Sequence, residues 1–270
     1  MYKLIFSDLD ETLLIGNEVP LFNQEAILKA KQKGVKFVPC TGRGYDMVGV
    51  IMDQLKMTGK GDEYLVCYNG ALVCDCKEFK PLYFKGLDYE VCRKIFDFGL
   101  KYDVCFMVFT LEGCHFFRPS EFEVKRKDSQ HAKHYELELD EFYKIQNTHV
   151  CKFLFQNFDE NYLLSIKDEI PQDILDECEI TLSSSRYLEF NAKNVSKGEG
   201  VKFLSNYLSI PIEEVIAIGD NYNDTSMIIE AGMGVAVKCA KDDIKEKADY
   251  VTEKDFDEGA VKEVIERFIL

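Results

Sequence analysis

The stretch LIFSDLDETLL, residues 4–14, decides the fold, because it carries an apolar run directly into two aspartates. Short continuous apolar runs of this kind are typical of strands that are buried on both faces of a parallel sheet. Asp8 and Asp10 then follow at the carboxyl end of that strand. A buried carboxylate without a partner is strongly unfavourable. The stretch therefore predicts a buried strand whose two aspartates are stabilised by a bound partner.

Alternating apolar runs and helical patterns extend this strand into a larger sheet. Residues 1–82 read as strand, helix, strand, helix, strand, with YLVCYNG, residues 64–70, as the third strand. Residues 190–270 return to the same alternation, which includes the strand EVIAIGD, residues 214–220. This order predicts an α/β fold with a Rossmann-like parallel sheet core.

The middle of the chain, residues 83–189, differs in sequence pattern: it has more aromatic residues, and its predicted strands look antiparallel. VCFMVFT, residues 104–110, and GCHFFRP, residues 113–119, are joined by a short turn and predict a hairpin. We therefore predict a smaller α/β domain, residues 83–189, inserted into a larger α/β domain that is formed by residues 1–82 and 190–270.

The composition excludes several classes of partner. A formal net charge of −15 argues against nucleic acid and against an anionic membrane surface, since both reward clusters of Lys and Arg. No segment reaches the roughly 18 apolar residues that a membrane span needs. The ten cysteines contain no CxxC pair, which favours buried thiols over a metal site or a disulfide framework. We expect a cytoplasmic protein with a small-molecule ligand.

Polar residues follow three of the predicted strands at the point where each strand ends. Because ligands of open parallel sheets bind beyond the carboxyl ends of the strands, these residues should lie together. Converging carboxylates repel one another unless a cation binds them, and an all-oxygen set favours Mg²⁺. An EF-hand is excluded, because a loop that starts at Asp8 has Leu13 where glycine is required. The residues concerned are Asp8, Asp10, Thr41, Gly42, Arg43, Asp220, Asn223 and Asp224.

A positive site for an anion is predicted beside the carboxylates. Ser196 and Glu199 have the spacing of a helix capping box, which places Lys197 in the first turn of a helix. Thr41 adds a hydroxyl group, and Gly42 adds a backbone N–H that a ligand can approach closely. Simpler interpretations stay open for single residues: Thr41 and Asp224 as helix caps, Lys197 as a solvated lysine, Arg43 as half of an ion pair, and Asn69 and Gly70 as a turn.

At these positions the sequence resembles the haloacid dehalogenase superfamily of phosphohydrolases, and within it the Cof-like branch that carries a large α/β cap. The first motif of the family is matched by DLDETL, residues 8–13, and the second by TGR, residues 41–43. The third motif is matched by Lys197 and the fourth by GDNYND, residues 219–224. The four motifs occur in the order of the family and span the chain.

The resemblance implies a Mg²⁺-dependent phosphatase in which Asp8 attacks phosphorus and forms an aspartyl-phosphate. Asp10 would then transfer protons to and from the leaving oxygen and water, and its backbone carbonyl would bind Mg²⁺. The implied metal site consists of Asp8, Asp10, Asp220 and Asp224. The implied substrate-binding residues are Thr41, Gly42, Lys197 and Asn223.

The expected substrates are small phosphomonoesters, such as sugar phosphates or phosphorylated cofactors. The resemblance also implies that residues 83–189 are the α/β cap domain, which determines specificity, and that residues 1–82 and 190–270 are the catalytic core. Two alternatives stay open: a phosphomutase that uses the same intermediate, and a non-catalytic binding protein on the same scaffold. Three positions depart from the branch. Glu11 stands where glycine is common, and Cys239 and Asp255 stand where relatives often carry Asn.

Overall fold

The computed structural model describes residues 1–130 and 132–270. The chain divides into two compact units, which we call the core unit, Met1–Phe84 with Ser196–Leu270, and the inserted unit, Lys85–Val195. Within the described residues, no helix combines the length and the apolar character that crossing a membrane requires. All ten cysteines are thiols and nine of them are buried, as the sequence predicted.

The core unit contains eight strands and six helices, together with short 3-10 turns, within the described part of the chain. Its strands are β1 Leu4–Ser7, β2 Lys36–Pro39, β3 Lys60–Cys67, β4 Leu72–Cys76, β5 Pro81–Phe84, β12 Val215–Gly219, β13 Met233–Ala236 and β14 Tyr250–Val251. Its helices are α1 Leu21–Gln32, α2 Gly49–Gln54, α7 Lys197–Tyr207, α8 Thr225–Glu230, α9 Asp242–Lys245 and α10 Ala260–Phe268.

Five parallel strands form the centre of the core unit, in the order β14-β13-β12-β1-β2. Strand β1 lies between β12 and β2, and its residues Leu4, Ile5 and Phe6 are fully buried, because both faces of the sheet are covered. Leu4 and Phe6 belong to one core cluster with Val201 and Leu204 of α7. The predicted α/β fold with a parallel sheet is confirmed.

The third predicted strand differs from the expectation. Strand β3 pairs antiparallel with β4 in a separate sheet of order β3-β4-β5. A parallel bridge between Cys40 and Val66 joins β3 to the chain that directly follows β2. An apolar run reports burial but not the direction of the partner strand, so the sequence pattern alone does not distinguish the two pairings.

Within its described residues, the inserted unit combines six strands with four α-helices. The strands are β6 Cys105–Thr110, β7 Gly113–Phe117, β8 His134–Leu137, β9 Val150–Gln156, β10 Cys178–Ser183 and β11 Tyr187–Ala192. The helices are α3 Tyr89–Gly99, α4 Glu121–Ser129, α5 Glu160–Asp168 and α6 Gln172–Leu175.

The sheet of the inserted unit has the order β10-β11-β9-β6-β7-β8 and is antiparallel except between β7 and β8. Strands β6 and β7 form the predicted hairpin, in which Thr110 pairs with Gly113. Aromatic side chains build the core of this unit. Phe96 of α3 stacks on Phe142 with ring centroids 4.1 Å apart and also contacts Phe106 of β6.

Candidate active site

Asp8 and Lys197 form a buried ion pair at the carboxyl end of β1. The N–H of Asp8 donates to the carbonyl of Ile218 over 2.9 Å, which continues the pairing of β1 with β12 and fixes the aspartate beside that strand. Lys197 is the first residue of α7, whose N-cap Ser196 accepts from the N–H of Glu199 over 3.2 Å. The predicted place of Lys197 in the first helical turn is therefore confirmed. Its Nζ donates to Oδ1 of Asp8.

Asp224 forms a second buried ion pair with Lys197. Lys197 Nζ lies 2.5 Å from Asp224 Oδ1, and both side chains are completely buried. The second oxygen of Asp224 accepts from the backbone N–H groups of Asp220 and Asn221, over 3.0 and 2.9 Å. Both carboxylate oxygens of Asp224 are thus engaged by donors of the protein itself. This arrangement fixes the loop after β12 and orients the lysine.

Asp220 completes the group of buried carboxylates. It follows the last residue of β12, and its Oδ1 accepts from the hydroxyl of Thr12 over 2.8 Å. Thr12 is fully buried and belongs to the turn after β1, so this bond joins the first and fourth motifs of the sequence. One oxygen from each of Asp8, Asp220 and Asp224 lies within 4.8 Å of the others.

The donor set of this carboxylate group fits a hard divalent cation. The three residues that lie close enough to share an ion offer carboxylate oxygens, which are the ligands that Mg²⁺ prefers. When all three buried carboxyls are ionised, one lysine leaves negative charge uncompensated, and a divalent ion would offset it. The observed residues therefore fit the predicted metal.

Thr41 and Gly42 lie in the loop that follows β2. Thr41 is buried, its N–H donates to the carbonyl of Val66 over 2.9 Å, and its hydroxyl accepts from the N–H of Arg43 over 3.1 Å. The loop therefore stands at the carboxyl end of the strand next to β1. It lies at the same edge of the sheet as Asp8.

Asp10 lies outside the carboxylate group, although it is only two residues from Asp8. Its half-exposed side chain accepts two hydrogen bonds from Arg43, one of them from Nε over 3.0 Å. Arg43 also donates to Oδ1 of Asn17 over 3.1 Å. The interpretation of Arg43 as half of an ion pair is confirmed. No sequence pattern indicated that Asn17 would also bind Arg43.

Asn223 is exposed and donates from Nδ2 to Oδ1 of Asn69 over 3.1 Å. It lies in the short 3-10 turn Tyr222–Asp224, in the same loop after β12 as Asp220. Asn69 and Gly70 form a turn, as expected.

Comparison with known proteins identifies the family. A family model described as haloacid dehalogenase-like hydrolase matches residues 5–265. The chain belongs to this family. Like the phosphatases among its relatives, it is a phosphoric monoester hydrolase.

Two proteins of Bacillus subtilis (strain 168) and one solved structure illustrate the similarity to other members of the haloacid dehalogenase-like family. YxeH is 32% identical, with 98% of each chain covered. The 5-amino-6-(5-phospho-D-ribitylamino)uracil phosphatase YcsE is 30% identical, with 97% of this chain and 94% of the relative covered. The crystal structure of a haloacid dehalogenase-like hydrolase from Bacteroides thetaiotaomicron has a TM-score of 0.87 at 27% identity, and each chain is covered completely.

The structure shows the local contacts of the three residues that depart from the Cof-like pattern. Glu11 has a φ of 57°, a left-handed conformation that glycine adopts without strain, so glycine suits this position. The carbonyl of Glu11 accepts from the thiol of Cys239 over 3.6 Å. Asp255 accepts from the N–H of Phe256 and caps a short turn.

Burial and mutual repulsion disturb the ionisation of the site. Burial, followed by the charge of Asp224, raises the pKa of Asp8 from 3.8 to about 7, although Lys197 opposes the shift. Burial, followed by the charges of Asp8 and Asp224, raises the pKa of Asp220 from 3.8 to about 8. Burial alone would lower the pKa of Lys197, but the carboxylates of Asp224 and Asp8 outweigh it and raise that pKa.

In metal-free protein, we expect the free energy of unfolding to fall as the pH rises from about 5 to about 8. The folded chain keeps protons on Asp8 and Asp220 up to pKa values of about 7 and about 8, whereas the unfolded chain releases them near 3.8. Within this window the folded state binds more protons, so a rise in pH favours unfolding. Urea unfolding in EDTA across this range measures the slope.

Mg²⁺ should stabilise the protein more at about pH 8 than at about pH 5, because metal ligands must be deprotonated. The control is Asp220→Asn, which removes one of the titrating carboxyls and should flatten the slope and weaken the response to Mg²⁺. Equal slopes and equal Mg²⁺ responses in this variant and the natural protein would contradict the prediction.

Proposed function

We propose that the chain hydrolyses small phosphomonoesters with Mg²⁺ and through an aspartyl-phosphate at Asp8. The observation that carries this proposal is the buried group of Asp8, Asp220 and Asp224 around Lys197, at the carboxyl ends of β1 and β12. A set of buried carboxylates that is only partly neutralised is costly unless a cation and a phosphoryl group make use of it.

The carboxylates of Asp8 and Asp220, with the backbone carbonyl of Asp10, are the proposed ligands of Mg²⁺. When bound, the ion supplies positive charge that offsets these carboxylates and the phosphoryl oxygens. Asp224 supports the site, because both of its oxygens already accept from Lys197 and the backbone. Its predicted role as a direct metal ligand stays a prediction.

Four residues are the proposed contacts of the phosphoryl oxygens. Lys197 contributes charge, Thr41 a hydroxyl group, Gly42 a backbone N–H and Asn223 a side-chain amide. All four lie at the carboxyl edge of the parallel sheet, in the loops or helix start described above. Catalysis of phosphoryl transfer depends mainly on positioning and on electrostatic stabilisation, which this set of donors provides.

In the proposed reaction, an oxygen of Asp8 attacks phosphorus and the bond from phosphorus to the leaving oxygen breaks. Asp10 donates its proton to that oxygen, and an alcohol leaves. Asp10 then takes a proton from water, whose oxygen attacks phosphorus and releases inorganic phosphate from Asp8. Arg43 must release at least one of its hydrogen bonds to Asp10 during this exchange, because both oxygens of that carboxylate accept from Arg43 in the present structure.

The proposed substrates are sugar phosphates or phosphorylated cofactor precursors. The relative YcsE is named for a phosphorylated ribityl compound, which supports a small polyhydroxylated phosphomonoester. We also propose that the inserted unit acts as a cap domain and determines substrate selectivity, and that the protein is cytoplasmic.

The test is an assay of purified protein against a panel of phosphorylated metabolites. We expect Mg²⁺-dependent release of inorganic phosphate, with activity lowered about 100-fold or more by EDTA and restored by Mg²⁺. A positional isomer of a hexose phosphate, formed without release of phosphate, would indicate a mutase instead. Activity that is indifferent to EDTA would remove the metal from the proposal.

A further inference from the structure

The turn Tyr68–Gly70 holds three consecutive residues in the left-handed region. Their φ angles are 50° for Tyr68, 56° for Asn69 and 95° for Gly70. Asparagine tolerates this conformation better than most residues, whereas tyrosine rarely adopts it. Strained backbone of this kind persists where the surrounding structure requires it, and it is concentrated at functional sites.

The turn is bonded to the loop that contains Gly42 on both sides of that glycine. The N–H of Asn69 donates to the carbonyl of Thr41, and the N–H of Tyr68 donates to the carbonyl of Arg43, each over 3.0 Å. A Cβ atom at Gly42 would lie 2.9 Å from Oδ1 of Asn69. The Asn69 side chain therefore lies directly against Gly42.

The same turn also contacts the start of α7 and the loop after β12. A Cβ atom at Gly70 would lie 2.0 Å from the carbonyl oxygen of Ser196, so the turn packs directly against the N-cap of the helix that carries Lys197. Asn69 Oδ1 accepts from Nδ2 of Asn223. One turn thus joins the three segments that hold the proposed phosphoryl contacts.

We propose that Asn69 is a positioning residue. Its amide oxygen orients the side chain of Asn223, and its backbone holds the loop that contains Gly42, so that both residues can contact the phosphoryl group. The inference rests on the proposed function, because that function gives Asn223 and Gly42 their roles. Strands β2 and β12 lie on opposite sides of β1 and do not pair with each other, so the sheet does not join the loops that follow them. Asn69 links these two loops, because its side chain bonds to Asn223 and its backbone N–H bonds to Thr41.

Asn69→Gly removes the amide side chain but keeps the backbone conformation of the turn, because glycine adopts the left-handed conformation without strain. We expect KM for the best substrate and the inhibition constant of inorganic phosphate to rise about tenfold, with a smaller change in kcat, since one hydrogen bond is lost. Asn223→Ala should give an equal or larger change, because it removes the proposed phosphoryl contact together with the bond to Asn69. The double variant should be little worse than Asn223→Ala alone, because the Asn69 side chain acts through Asn223.

The matched control is Asn194→Gly, which changes a left-handed asparagine of the inserted unit. Both glycine variants should keep the natural urea midpoint within the same small margin, because Asn223 is exposed and its bond competes with water. Only Asn69→Gly should weaken phosphate binding.

Two failures can be distinguished. The inference would be overturned by an unchanged KM and unchanged phosphate inhibition in Asn69→Gly, or by losses that multiply in the double variant. If the natural enzyme is active, the proposed function would still stand. A natural protein that releases no phosphate from any substrate would remove the proposed function, and the positioning role of Asn69 with it.

Discussion

Asp8→Asn is expected to lower kcat by roughly 10⁴-fold or more, because an amide does not replace a carboxylate as nucleophile. The side chains are nearly identical in shape, so the buried site should keep its packing. Lys197 retains its ion pair with Asp224, and Asp220 loses a neighbouring charge that raises its pKa. The variant should therefore be folded and at least as stable as the natural protein in the absence of metal.

The control for this variant is Asp62→Asn, which changes an exposed aspartate that pairs with Lys36. Exposed ion pairs contribute little, so this variant should keep its activity and its stability within about 0.5 kcal/mol. Phosphate release by Asp8→Asn at a rate comparable to that of the control would remove Asp8 as the nucleophile.

Lys197→Met is expected to lower the free energy of unfolding by about 3–5 kcal/mol at neutral pH and to abolish phosphatase activity. The substitution keeps most of the apolar volume but leaves Asp8 and Asp224 buried without their cation. Urea unfolding followed by circular dichroism measures the loss. Adding Asp224→Asn to the same chain should restore part of the stability but none of the activity.

Lys202→Met on the same helix provides the comparison. Lys202 is partly exposed and pairs with Glu199 and Glu230 over 3.1 and 3.0 Å. Its removal should change the free energy of unfolding by less than about 1 kcal/mol. Similar urea midpoints for the two lysine variants would show that the buried position of Lys197 carries no special energetic role.

The features that sequence reasoning predicted are those that depend on local patterns. A strand buried on both faces appears as an unbroken apolar run, which is why β1 and the position of Asp8 could be read from LIFSD. The spacing of Ser196 and Glu199 located the start of α7 and thus Lys197. The carboxyl ends of parallel strands then brought Asp8 and Asp220 to one edge without any knowledge of the connecting chain.

The features that were missed depend on side-chain pairing between loops. The turn after β1 brings the side chain of Asp10 to Arg43, and no periodicity reports such a pairing. The contact of Asn69 with Asn223 joins residues 154 positions apart in the sequence. The antiparallel pairing of β3 was missed for a related reason, since apolar character does not specify a partner strand.

The most direct test of the account is to quench the enzyme with acid during turnover of a substrate that carries radiolabelled phosphate. The account predicts a labelled protein that is stable in acid and labile in base, with the label confined to the peptide that contains Asp8 and absent from Asp8→Asn. A fully active enzyme whose label never appears on that peptide, or appears on another one, would contradict it.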